Sequence, residues 1–363
     1  MSLKELVEIS RRYGADTEYV IAGGGNTSLK ENGILYIKGS GAPLAEMTEV
    51  GFVKMDRTQL ASIWQKTYPA NANDREAAVL ADMLAARLPG EEHKRPSVET
   101  LLHDLLPFKV VVHLHPALVN GLTCSRNGEK CAQELFSGEH IWIPSINPGY
   151  ILALAVKDAL SNNGNKAIIF LQNHGVFVGA DSVTEIDALY HKIMETINGH
   201  ITICPDFSPL PVPADQAGIN AALAAISGNT VLFALNKGFA PLIKDRSTFT
   251  PVSSAFTPDH IVYSGSDPLF IEKPEGTIEE HIAKAWKNHS IKTGRSPHIV
   301  AVQDVGLFGI GATEKAASLA LLLFTDAVKV ASYAQAFGGP LFMDSDKIDF
   351  INNWEAEHYR VTR

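Results

Sequence analysis

At 363 residues the chain is long enough for two ordinary domains. Its composition, 45% hydrophobic and 20% charged, is that of a folded globular protein and not of a disordered one. A net charge of -9 argues against a nucleic-acid binder, and the absence of an apolar run of about 18 residues argues against a membrane span.

The N-terminal MSLKELVEISRRYG lacks the apolar core of a secretion signal. Leu3, Leu6, Val7 and Ile9 instead fit the buried stripe of a helix. Cys124, Cys131 and Cys204 are odd in number, widely spread and without zinc-finger spacing, so they read as reduced thiols of a cytoplasmic protein. After the first helix, Ala22–Ser28 reads as a glycine turn, and Ile34–Ile37 as a strand ending at Gly39-Ser40-Gly41. Both turns are anion candidates, because glycine lets backbone N–H groups approach a phosphate while Ser and Asn add donors. Neither matches a P-loop, and a glycine turn that leads into a strand argues against a dinucleotide fold.

Helices are expected near 58–66 and 74–87. In Pro96-Ser97-Val98-Glu99, Ser97 suits a helix N-cap, which puts Glu99 in the first turn. Glu99 there either complements the helix dipole or serves a site as ligand or base. His103, four residues on, shares its face and could orient it. Apolar strands follow at 109–114 and 167–171, and an amphipathic helix at 182–200.

The valine run of KVVVHLHPAL leads into His113 and His115. Residues two apart on a strand share a face and lie about 6–7 Å apart. Such a pair fits one metal ion, a general base, or two exposed strand-end side chains. His174, between a strand and Gly175, is a third candidate; three histidines with an open position are the geometry of a catalytic zinc.

Cys204–Pro213 holds four prolines and is the expected linker. The part beyond it echoes the first. KAIIFLQNHGVFVGA (166–180) matches PHIVAVQDVGLFGIGA (297–312), and IKGSGAPL (37–44) more weakly matches YSGSDPL (263–269). Val305 stands where the first copy has His174, and no His-x-His occurs after residue 210. The expected organisation is a catalytic domain over 1–204, a proline-rich linker over 205–215, and over 216–363 a smaller α/β domain, a degenerate copy without metal ligands.

In this order, GGGNTSLK, IKGSGAPL, RPSVETLLH, VVHLHP and QNHGVFVG resemble the class II aldolase/adducin family across residues 22–180. LYIKGSGAPLAEMTEVGF, RPSVETLLHDLLPF, HIWIPSINPGYILAL and the terminal NNWEAEHYR resemble a narrower group, the rhamnulose-1-phosphate aldolase portions of bifunctional proteins with a C-terminal dehydrogenase. No dehydrogenase follows Arg363, so a separate one is a conceivable partner. The resemblance implies an α/β/α sandwich around a mainly antiparallel sheet, in a homo-oligomer, dimer or tetramer. It implies Zn2+ or another divalent metal on His113, His115 and His174, and Glu99 as the catalytic acid/base. Gly25, Asn26, Ser40, Gly41 and Ser97 fall on the family's phosphate contacts, whereas Val98 stands where phosphate-binding relatives often have a second serine. Tyr150 falls in the region from which some members lend a tyrosine to a neighbouring subunit's site. The implied substrate is a sugar phosphate, with no nucleic-acid or membrane partner. The implied reaction is retro-aldol cleavage of a ketose 1-phosphate, rhamnulose 1-phosphate first. The same ligand set also serves 4-epimerases and dehydratases, and the fold also serves catalytically inactive adducin-like binding proteins.

Overall fold

The computed structural model describes residues 2–273, 277–356 and Tyr359; Glu357, His358 and Arg360 of the terminal motif lie outside the described residues. It divides into two compact units. One holds the described residues of Met1–Thr123, Asn127–His200 and Asp349–Arg363; the other holds those of Cys124–Arg126 and Ile201–Ile348. The division is close to the expected linker, but the chain returns at Asp349 to the first unit, which corrects the expected 216–363 domain. Trp354 and Ala356 are buried there, and the exposed Glu355 carboxylate grips Arg95 through two N–H···O bonds of 2.6 and 2.8 Å.

In the first unit the order is α1 (Leu3–Gly14), β1 (Asn26–Glu31), β2 (Ile34–Lys38), β3 (Phe52–Asp56), α2 (Arg57–Ile63), α3 (Ala72–Ala85), α4 (Thr100–Leu105) and β4 (Val110–Leu114). Then come α5 (Ala117–Thr123), α6 (Gly128–Phe136), β5 (His140–Ile143), α7 (Tyr150–Asn163), β6 (Ile168–Leu171), β7 (Gly175–Ala180) and α8 (Val183–Asn198). The seven strands form one sheet in the order β3-β2-β1-β4-β7-β6-β5. Every pairing is antiparallel except β5 with β6. Helices α1, α5 and α8 pack together on β1, β4 and β7, while α2, α3, α4 and α7 form the other layer. This is the expected α/β/α sandwich around a mainly antiparallel sheet.

The helices follow from their caps and stripes. Ser2 and Ser182 each close a capping box, with Glu5 and Glu185, at the starts of α1 and α8. Helix α8 buries Ile186, Tyr190, Ile193 and Ile197, a 3.6-residue stripe, and the Tyr190 hydroxyl donates to Val112 O at 3.0 Å. All five residues of β4 are buried because the strand is central and covered on both faces. Val111 belongs to the core under α4 and α7 with Ile37, Leu101, Ile169 and Phe177, so the period of two turns His113 to that same layer.

Two local expectations are corrected. The glycine turn is shorter than its polar composition suggests: β1 begins at Asn26, and the buried Asn26 and Ser28 side chains are bonded to Glu99 and His103, the N-cap and a residue of α4. Helix α4 begins at Thr100, with Glu99 as N-cap residue and no capping bond from its side chain. Ser97 Oγ instead accepts the Glu99 N–H at 3.3 Å, tightening the turn before the helix.

The second unit contains α9 (Gln216–Ser227), β8 (Thr230–Ala234), α10 (Arg246–Phe249), β9 (Leu269–Ile271), α11 (Ile278–Thr293), β10 (Ile299–Val302), β11 (Gly306–Gly311) and α12 (Glu314–Tyr333); α13 (Ser345–Asn352) leads the chain back. Its four strands run β8-β11-β10-β9, with only β9 and β10 parallel. The proline-rich stretch is partly built in: Leu210 N–H donates to Leu235 O and Lys237 N–H to Ser208 O beside β8. Glu314–Phe337 is, by length and hydropathy, apolar enough to cross a membrane, although its apolar residues do not form the unbroken run that would mark such a span in the sequence. Half of its most apolar window is buried, with Ala317, Ala320, Leu323, Phe324 and Ala327 as core residues of this unit, which accounts for the composition.

Candidate metal centre

Three strand ends bring the histidines together. His113 is the fourth residue of β4, paired between Asn26 of β1 and Phe177 of β7, and fully buried. His115 follows on the same face, its N–H bonded to Tyr19 O at 3.1 Å. His174 sits in the β6–β7 turn, made tight by Asn173 in the left-handed region (φ 58°) and by the His174 N–H to Leu171 O bond. Gly175 allows the approach: a Cβ there would lie 2.6 Å from Leu114 O and 2.7 Å from His115 Cδ2.

The ring centroids of the three are 4.6–5.1 Å apart, and one ligand nitrogen from each lies within 4.8 Å of the others. His113 Nδ1–H donates to Val176 O at 3.0 Å, which leaves its Nε2 lone pair directed at the centre. The Nε2 atoms of His113 and His115 are 2.8 Å apart, so both rings turn the same nitrogen to one point. His113 also stacks on Phe177 at 3.9 Å, which fixes the ring plane. Glu99 Oε1 completes the cluster, 3.4 Å from His113 Nε2 and 3.5 Å from His174 Nε2. It is buried and accepts no hydrogen bond among the described residues, an unsatisfied state that a cation would relieve. This donor set fits a divalent metal of the zinc type, with imidazole nitrogens and one carboxylate within reach.

Glu99 is held from behind. Asn26 Nδ2 donates to Glu99 Oε2 at 2.6 Å and to Ser97 Oγ at 3.2 Å. Asn26 Oδ1 meets His103 Nε2, and His103 Nδ1 meets Ser28 Oγ at 2.7 Å. Complete burial pushes His103 well below the ordinary histidine range. Further along β1, Lys30 Nζ donates to Leu106 O and Phe108 O just past the end of α4. Burial lowers its pKa to about 7. Asn26, Ser28 and Lys30 thus fasten α4 to β1 from one strand face, a polar alternation legible in Asn-Thr-Ser-Leu-Lys only once that segment is taken as strand.

The anion candidates lie beside this. Gly25 (φ 66°) passes under His113 O, which a Cβ would approach to 2.9 Å. Gly39 bridges Pro96, Ser40 N–H donates to Arg95 O at 2.8 Å, and Ser97 N–H to Lys38 O at 3.1 Å, so the second turn is tied to the segment that leads into α4. Lys38, which the sequence reading passed over, is buried with its Nζ bonded to Ala42 O at 2.7 Å inside the second turn. Tyr150 is not brought to the histidines. It starts α7, donates its N–H to Glu76 at 3.0 Å, and packs between Trp64 and Tyr68. There it lines a cavity of about 510 Å³ with Glu76, Arg95, Val98 and Trp354.

A family model described as Class II Aldolase and Adducin N-terminal domain matches residues 4–198. The chain belongs to this family of metal-dependent aldolases and their relatives. A Bacillus subtilis (strain 168) protein named "Uncharacterized oxidoreductase YuxG" is 23% identical over 413 residues, spanning 99% of this chain and 58% of that protein. The chain therefore covers little more than half the length of this curated relative. Among solved structures, the N-terminal class II aldolase domain of a conserved Thermoplasma acidophilum protein is 26% identical with a TM-score of 0.47, over 55% of this chain and 93% of that one. The L-fuculose-1-phosphate aldolase of Thermus thermophilus is 19% identical with a TM-score of 0.34, over 53% and 92%.

Proposed function

We propose that the first unit is a zinc-dependent aldolase that cleaves a ketose 1-phosphate, with rhamnulose 1-phosphate, giving dihydroxyacetone phosphate and lactaldehyde, as the preferred substrate. The observation that carries this reading is the convergence of three imidazoles with a buried carboxylate oxygen that accepts no hydrogen bond among the described residues. A divalent ion held by His113, His115 and His174 supplies Lewis acidity to the ketose carbonyl when bound. Glu99 returns the proton to the carbon that loses the aldehyde, with Oε1 facing the reaction and Oε2 anchored by Asn26. Gly25, Asn26, Ser40, Gly41 and Ser97 orient the phosphate end, and with it the reacting carbons. Tyr150 acts across a subunit boundary of a dimer or tetramer. The second unit is a degenerate copy of the first that has no metal and no chemistry of its own. The oxidoreductase name of the Bacillus subtilis relative refers, on this reading, to the part of that protein outside the matched region.

Zinc-loaded protein should release dihydroxyacetone phosphate from one member of a panel of ketose 1-phosphates. Glu99→Gln should keep zinc and lose cleavage by about 10²- to 10⁴-fold, the usual contribution of a positioned acid/base. Full activity in that variant would contradict the assignment. Epimer formation without release would move the chain to the 4-epimerases. Dehydration of the substrate would move it to the dehydratases. A metal-free protein with no turnover would favour an adducin-like binding role.

A further inference from the structure

We propose that Ser28, His103 and Asn26 form a positioning relay that sets the rotamer of Glu99, and that Asn26 couples Glu99 to the anion turn. The proposal rests on the reading of Glu99 as the proton carrier. All four side chains are buried, Ser28 and His103 completely, so none trades its partners for water. Asn26 Nδ2 carries two hydrogens, and both are committed, to Glu99 Oε2 and Ser97 Oγ. Its Oδ1 therefore faces His103, and His103 Nε2 must carry a hydrogen. A buried imidazole stays neutral, so Nδ1 is bare and accepts the Ser28 hydroxyl.

Every donor in the chain is thereby directed: Ser28 to His103, His103 to Asn26, Asn26 to Glu99. A flipped Asn26 amide would set N–H against N–H at His103 and oxygen against oxygen at Glu99. The relay thus removes one rotational choice at the carboxylate and leaves Oε1 alone to face the histidines. Asn26 and Ser97 are also the residues through which the anion turn would meet a phosphate. A phosphate that takes the Asn26–Ser97 hydrogen pulls on the same amide group that holds Glu99. Anion recognition and carboxylate placement share one side chain.

The test has a structural arm and a kinetic arm. In protein labelled with ¹⁵N-histidine, His103 is identified by the signals lost in His103→Gln. We expect a protonated Nε2 and a bare Nδ1, and Ser28→Ala should weaken that preference. A crystal structure of His103→Leu should show Glu99 displaced from Asn26, whereas Glu99 unmoved would overturn the relay. In the kinetic arm, zinc-loaded protein exchanges deuterium from solvent into dihydroxyacetone phosphate. His103→Leu should lower the exchange kcat by about 10- to 100-fold, the usual cost of losing an outer-shell partner, with KM nearly unchanged. His103→Gln, which can still donate to Asn26, should recover most of it. Wild-type kcat in His103→Leu, or an Nδ1–H tautomer in the native protein, would contradict the proposal. Absence of exchange in the wild type would remove the aldolase reading, and the tautomer and the crystal structure would still decide the relay. Should His103→Leu fail to fold, Ser28→Ala read by tautomer and by exchange kcat decides it.

Discussion

The two sheets of this molecule share one arrangement and differ in what fills its centre. The first unit's β4-β7-β6-β5 and the second unit's β8-β11-β10-β9 match strand for strand, including the single parallel pair at one end. The turns agree as well. Asn173 and Asp304 have φ of 58° and 57°, and each lies two residues before a glycine. Gln172 and Gln303 each accept from a backbone N–H, of Ser145 and Lys273, and donate their own N–H to Ile143 O and Ile271 O. By register, Phe177 corresponds to Phe308, and their partners His113 and Phe233 correspond in turn. His115 then falls on Leu235 and His174 on Val305. The same backbone holds three imidazoles in one sheet and three apolar side chains in the other. A fold of this kind specifies where a site is, and side-chain chemistry decides whether one exists.

The weaker sequence echo does not survive the comparison. IKGSGAPL begins in β2, which has no counterpart in the second sheet, whereas YSGSDPL leads into β9, the counterpart of β5. A shared Gly-Ser pair before a Pro-Leu is turn chemistry that recurs without common position.

Making the first sheet resemble the second should have the largest effect. His174→Val copies Val305 and should weaken zinc by more than the roughly 10- to 100-fold that loss of an outer-shell partner costs, read by competition with a chelator. Thermal unfolding of the metal-free variant should stay close to that of the metal-free parent. Next come the paired turn glycines. Gly175→Ala pushes into Leu114 O and His115, so it should reduce zinc affinity as well as stability. Gly306→Ala meets Phe233 Cε2 at 2.4 Å and should cost stability alone, about 1–3 kcal/mol by denaturant unfolding. Equal effects of the two on zinc would break the comparison.

The smallest expected effect lies in Lys30, which only the first unit has. Its folded pKa, about 7, is depressed by burial below the ordinary 10.5. The unfolded chain then binds the extra proton between these values, so stability rises with pH from about 7 to 10 and is flat below. Lys30→Met should remove that rise, about 2 kcal/mol between pH 7 and pH 9. Parallel pH profiles of parent and variant would count against a depressed Lys30.

Much of this is legible in the sequence because periodicity carries it. The valine run of β4, the stripe of α8 and the repeated strand–turn–strand around Gln172 and Gln303 are local signals with one physical reading. The three histidines are legible as candidates for the same reason: strand ends and a turn glycine. Other features escape because their cause is tertiary. Asn26-Thr27-Ser28-Leu29-Lys30 has the composition of a loop, and becomes a buried strand only because α4 supplies partners for its polar face. The return of the chain at Asp349 depends on Trp354 and Glu355 finding the first unit, which no local pattern announces. Tyr150 is singled out only by the family resemblance, and its packing between Trp64 and Tyr68 has no local pattern that announces it.

The central claim is that one sheet of the two holds a metal. It is tested most directly by the zinc content of purified protein and of His174→Val, measured by elemental analysis after equilibration with excess zinc and desalting. The account predicts one zinc per chain in the parent and none in the variant. Two per chain in the parent, or one retained in the variant, would contradict it.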